Sequence, residues 1–129
     1  MEIQVATLCD SAVDYGGKLS MLGAFDTLIA KELPAIHPQC SVVLRILFRK
    51  EEEGSHSLHV NFVNEDGKSI VPPIEGGLHV ASMGDFFFST HNVVLNLQQL
   101  RFESTGLYSV DITIDHRQVA SVPLQILKK

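Results

Sequence analysis

Tyr108, Val110, Ile112 and Ile114 alternate with Ser109, Asp111 and Thr113, the period-two pattern of a strand with one face in a core and the other in water. Val42, Leu44, Ile46 and Phe48 repeat it, as do Leu58, Val60 and Phe62 against His59 and Asn61. Strand-like segments recur at 2–9, 18–30, 41–49, 56–64, 69–71, 85–97, 107–114 and 118–127, with Asp115-His116-Arg117 turning the last two into a hairpin. Short strands separated by Gly, Pro and Asp turns predict an all-β sandwich or barrel.

The breaks in this pattern set the rest of the expected layout. Gly67 in Asn64-Glu65-Asp66-Gly67-Lys68 sits where a hairpin turn needs positive φ. Pro34 and Pro38 leave at most one helical turn in 33–40. Leu95 and Leu97 give way to Leu100 and Phe102, so a bulge or strand end is expected at Gln98-Gln99. Pro72-Pro73 and Gly76-Gly77 predict an irregular crossing between the two halves, and the acidic run at 50–55 a solvated hairpin tip. The expectation is one antiparallel β-sandwich domain of about 7–9 strands over residues 1–129.

Charge narrows the partners. A formal net charge of −5, with ten Lys and Arg spread thinly, does not supply the basic stripe that nucleic-acid binding requires. Met1-Glu2-Ile3-Gln4-Val5 enters a strand pattern directly rather than a secretory leader, and no apolar run reaches a membrane span. The expected setting is cytoplasmic, with no membrane partner and with Cys9 and Cys40 as buried, reduced thiols. A disulfide between them depends on a separation the sequence does not contain.

The residue types that carry chemistry are present without the spacing that chemistry needs. His56 and His59, three apart on a period-two strand, face opposite sides and cannot chelate one ion locally. Tyr15-Gly16-Gly17-Lys18-Leu19-Ser20 lacks the first glycine and the following helix of a phosphate loop. Cys9-Asp10 would need a distant histidine such as His37 to act as a nucleophile. With no Trp and two Tyr, sugar stacking is disfavoured. The expectation is therefore a non-enzyme with no catalytic residue, metal or cofactor. Phe86, Phe87 and Phe88 stand out, because three consecutive rings cannot share one strand face. A regular strand would turn Phe87 inward, and cover by 34–39 or 76–84 competes with an interaction surface.

Gly106-Leu107-Tyr108-Ser109-Val110 resembles the approach to the sixth strand of immunoglobulin-like domains. There the tyrosine forms a corner by bonding back to the chain. Tyr108 would then be buried, with its hydroxyl on the backbone near 100–103. Val110 stands where antibody-type domains carry cysteine. Over nearly its whole length the chain resembles a family of small, uncharacterised, largely bacterial proteins, a domain of unknown function. The resemblance rests on Leu8-Cys9-Asp10, Gly17-Lys18-Leu19, Leu22-Gly23-Ala24-Phe25-Asp26, Pro34-Ala35-Ile36-His37, Leu95-Asn96-Leu97-Gln98, Gly106-Leu107-Tyr108 and Pro123-Leu124. It implies an immunoglobulin-like or fibronectin-like sandwich and no assigned activity. The functional expectation is a protein-interaction module with an unknown protein partner. The alternatives are self-assembly as a homo-oligomer and a module for a small molecule or carbohydrate.

Overall fold

The computed structural model describes residues 1–129. Nine strands follow in order: β1 (Glu2–Tyr15), β2 (Lys18–Phe25), β3 (Thr27–Ala30), β4 (Ala35–Arg49), β5 (Gly54–Val63), β6 (Ile74–Val80), β7 (Phe88–Phe102), β8 (Gly106–Ile114) and β9 (Arg117–Lys128). A single 3-10 turn, Lys50–Glu52, links β4 to β5. No helix is long and apolar enough to cross a membrane. The strands form two sheets, one ordered β2-β1-β4-β7 and the other β3-β9-β8-β5-β6. Every pair is antiparallel except β3 with β9, which run parallel, so the sandwich is predominantly antiparallel.

Alternation places the core between the sheets. Val42, Leu44, Ile46 and Phe48 of β4 meet Val60 and Phe62 of β5, Val110, Ile112 and Ile114 of β8, and Val122, Leu124 and Ile126 of β9. Burying each such side chain is worth roughly 1.5–3 kcal/mol. The β8–β9 turn has positive φ at both Asp115 (51°) and His116 (67°), the backbone of the two-residue hairpin whose twist matches its strands.

Four local expectations change. Residues 35–40 belong to β4, because Pro38 falls opposite Gln99, between the pairs His37–Leu100 and Gln39–Gln98. Register is unbroken there. The irregularity at Gln98-Gln99 is a left-handed residue, Gln99 at φ 53°, and not a bulge. The supposed crossing at Gly76-Gly77 is β6, paired along β5 from Val60 to Gly54. Conversely, 69–71 forms no strand, only a single bridge between Ser69 and Val63.

At one end of the core, Tyr108 is 4% exposed and its ring meets Phe102 edge-on at 5.1 Å. Its hydroxyl donates to the Ser104 carbonyl at 2.7 Å, just beyond the expected 100–103 because the chain leaves β7 at Phe102 and turns through Ser104.

The β1–β2 hairpin makes an unexpected second layer. β1 pairs with β4 only as far as Cys9 and Ser41, then bends so that the tip returns over the outer face of the sheet. There Arg45 Nη1 and Asn92 Nδ2 both donate to the Gly17 carbonyl, each at 3.2 Å. Arg45 also donates to Asn92 Oδ1 at 2.7 Å. The hinge is Asp10 and Gly23, between the pairs Cys9–Ala24 and Ser11–Leu22. Gly23 has φ 68°, and a Cβ there would collide with the Asp10 carboxylate. Beneath this flap Cys9, Ser41 and Val43 are fully buried although they point away from the main core.

Two outcomes test these assignments. Tyr108→Phe should lower unfolding free energy by roughly 0.5–1.5 kcal/mol, the net worth of one hydrogen bond, measured by urea denaturation. Gly23→Ala should cost more than Gly17→Ala, since both require positive φ but only Gly23 lacks space. In the native Gly23→Ala protein Cys9 should react with a thiol reagent while Cys40 stays protected. Equal reactivity to wild type would show that Gly23 does not hold the flap.

Candidate functional site

The chain leaves β6 at Val80 and reaches β7 at Phe88 through a short loop. Met83, 4% exposed, plugs into the core and anchors it. The Met83 N–H donates to Glu53 Oε2 at 2.7 Å, Lys50 Nζ donates to the Gly84 carbonyl at 3.0 Å, and the Phe86 N–H donates to the Met83 carbonyl at 2.9 Å. Gly84, at φ 55°, turns the chain where a side chain would be strained. The acidic run at 50–55 is thus a clamp for this loop and not merely a solvated tip.

What the loop holds up is apolar. Phe86, Phe87 and Phe88 are 74%, 90% and 47% exposed. Phe87 does not turn inward, because regular strand begins only at Phe88. Neither segment that might have covered the rings does so: 34–39 is largely taken into β4 and 76–80 into β6. Leaving such rings in water forgoes roughly 1.5–3 kcal/mol of burial each. Val13, Tyr15 and Leu22 are also exposed, on the outward side of the folded-back hairpin. The spacing of Ser11, Val13 and Tyr15 continues the strand pattern beyond Cys9, where the first strand was expected to end.

The chemistry-bearing residues do not assemble. Cys9 pairs with Ser41 in register, so Cys9 and Cys40 project to opposite faces of the sheet and no cross-link joins them. Burial, with smaller contributions from Cys9 and Asp10, pushes the Cys40 thiol up to about 11. Cys9 also titrates above the usual thiol range, chiefly through burial and then through Asp10. Both shifts disfavour the thiolate that a nucleophile needs. His37 lies against Phe25, ring centroids 5.6 Å apart. No group of three or more His, Cys, Asp or Glu converges as a metal cage.

One titratable cluster centres on His56, beside the turn that clamps the loop. His56 stacks on Phe48 at 5.0 Å, and its ring nitrogens meet Asp115 Oδ2 and the Glu52 carbonyl, both at 2.6 Å. Carboxylate and carbonyl oxygens accept, so a protonated ring can donate to both at once and the pair of bonds favours the imidazolium form. The Asp115 bond, then the Glu52 carbonyl, raises the His56 pKa. The His56 bond, then the Ser57 N–H, lowers that of Asp115. Glu52 is next to Glu53, which clamps Met83.

The model of a family of unknown function, DUF6941, matches residues 4–127. The chain belongs to this family. Among curated proteins none matches. Of the solved structures, Pseudomonas fluorescens alkylpurine DNA glycosylase AlkC bound to DNA containing an abasic site analog is similar at TM-score 0.50 and 7% identity. The similarity covers 78% of this chain and only 27% of that one, which makes it a likeness of fold. In this family member the features that stand clear of the core are an apolar loop and its polar clamp.

The clamp should register in stability against pH. His56, with a raised folded pKa, contributes fully below its unfolded value near ~6.5, and the contribution is lost as pH rises through the folded value. Asp115, with a depressed one, contributes above ~3.9 and loses that as pH falls through its folded value. The stability gap between wild type and His56→Gln should therefore be widest between about pH 4 and 6.5, in urea denaturation, and should shrink on going alkaline. A gap independent of pH would contradict the imidazolium assignment.

Proposed function

We propose that the domain is a non-enzymatic protein-interaction module that docks through the Phe86–Phe88 loop. The observation that carries this is three consecutive exposed phenylalanines on a backbone held at Met83, Gly84 and Phe86 by bonds from Glu53, Lys50 and the loop itself. A clamped apolar loop presents its rings at little entropic cost on binding, and aromatic anchors dominate protein interfaces. The partner's matching surface is an apolar pocket able to take the Phe87 ring.

The sandwich is, in this reading, immunoglobulin-like. That is supported by the order β3-β9-β8-β5-β6 opposite β2-β1-β4-β7, by parallel β3 and β9, and by the Tyr108 corner. A cytoplasmic setting fits two free thiols that face opposite sides of one sheet. The small-molecule alternative draws on an open groove of about 380 Å³ between β3 and the start of β4, lined by Leu28, Pro34, Ile36 and His37. It is the weaker reading, because the charged residues lining the groove, Lys31 and Glu32, are exposed to solvent rather than converging within it. The glycosylase is bound to DNA, and a net charge of −5 argues against DNA as a ligand of this chain.

Phe87→Asp changes a side chain that is 90% exposed, so stability should move by no more than about 0.5 kcal/mol. In affinity capture from native lysate, proteins retained by wild type, copies of the chain itself included, should be lost with Phe87→Asp. Retention that is identical in both, with both folded, would overturn the proposal.

A further inference from the structure

The peptide unit between Glu52 and Glu53 joins the His56 cluster to both clamps on the loop. Its carbonyl accepts from His56 Nε2 at 2.6 Å, and its N–H, that of Glu53, donates to the Lys50 carbonyl at 3.2 Å. Glu53 Oε2 takes the Met83 N–H, and Lys50 Nζ donates to the Gly84 carbonyl. Because a peptide unit is planar, holding its carbonyl also orients the two residues that hold 83 and 84.

The His56 ring has little room to absorb a change of charge. Its side chain is 13% exposed and it stacks on Phe48 at 5.0 Å, while Nδ1 meets Asp115 Oδ2 at 2.6 Å. Protonated, it donates at both ends. A neutral ring keeps one N–H and one lone pair, so one end would set a lone pair against an oxygen at 2.6 Å, and that contact has to open. The bond to ionised Asp115 is the stronger of the two, and Asp115 is itself fixed by the Ser57 N–H at 3.0 Å. The end that yields is the one on the Glu52 carbonyl.

We propose that His56 is a proton-operated latch on the Phe86–Phe88 loop: protonated, it locks the Glu52–Glu53 peptide and the loop stays clamped; neutral, it releases that peptide and the loop loosens. The consequence for docking rests on the reading of this loop as the interaction surface. Docking is then tightest at mildly acidic pH, because an ordered loop loses less entropy on binding. Several charged groups face the ring besides Asp115. The Glu52 carboxylate is shared between the Met1 amino group at 2.7 Å and the Arg49 N–H at 2.9 Å. His116 follows Asp115 in the β8–β9 turn, and His91 of β7 meets the same Phe48 ring at 5.4 Å. On β6 the residue opposite His56 is uncharged Leu78, and His79 beside it turns to the Ser55 hydroxyl at 3.4 Å. All of these remain when residue 56 is changed, so a substitution there isolates the latch.

Amide hydrogen exchange of the full chain, expressed as protection factors at Met83 and Phe86, tests this between about pH 5.5 and about pH 8.5, on either side of the ordinary histidine value of ~6.5. Protection at both amides should fall by about fivefold to tenfold toward the alkaline end, as for the loss of one hydrogen bond, while the amides of β8 change less. His56→Gln should show the low protection throughout. Asp115→Asn, which removes the carboxylate that favours the imidazolium, should move the transition to lower pH, and it decides the matter even where His56→Gln fails to fold. Protection at Met83 and Phe86 that ignores pH, or a transition that Asp115→Asn leaves in place, overturns the proposal. The measurement needs no partner and so separates the latch from the docking reading. A loop that loosens as expected while capture ignores Phe87 supports the latch and overturns docking.

Discussion

The structure depends on burying β4 on both faces. Its inward residues Val42, Leu44, Ile46 and Phe48 are sealed by the opposite sheet, and Ser41, Val43 and Leu47 on the other face are buried as well. A two-layer sandwich covers only one face of each sheet. The second cover here is the chain's own β1–β2 hairpin, folded back at Asp10 and Gly23 and tied at its tip to Arg45 and Asn92. Bent over the sheet, the hairpin tip spans from Arg45 of β4 to Asn92 of β7.

The apolar loop follows from the same frame. The β4–β5 turn supplies Lys50 and Glu53 to hold residues 83–86, and His56 on the next strand fastens Glu52 to Asp115 across the sandwich end. One turn therefore holds the loop, whose Met83 enters the core while Phe86 and Phe87 face water. Core packing does not account for the exposure of Phe86 and Phe87.

Much of this was legible as alternation. β8, β9 and the second half of β4 announce themselves because one face is apolar and the other polar at every step. β6 was hidden because Gly76 occupies a slot between Ile74 and Leu78 where an apolar side chain would have completed the pattern. The first half of β4 was hidden by Pro38, tolerated because its missing donor falls opposite the left-handed Gln99. The phenylalanine run was recognisable as an anomaly, but whether it lay under a loop depended on where 34–39 and 76–84 ran. The hairpin flap and the Glu53 clamp are long-range contacts without any periodic signature in the chain.

Hydrogen exchange resolved along the chain tests the central proposal, that binding is reserved for the Phe86–Phe88 loop at the head of β7. In dilute protein the amides of β4 and β8 should be the most protected, and those of 86–88 much less so. On partner binding, protection should rise within 86–88 and stay level in β2, β3 and β6. Protection gained at any of those three edges while 86–88 is unchanged would contradict the account.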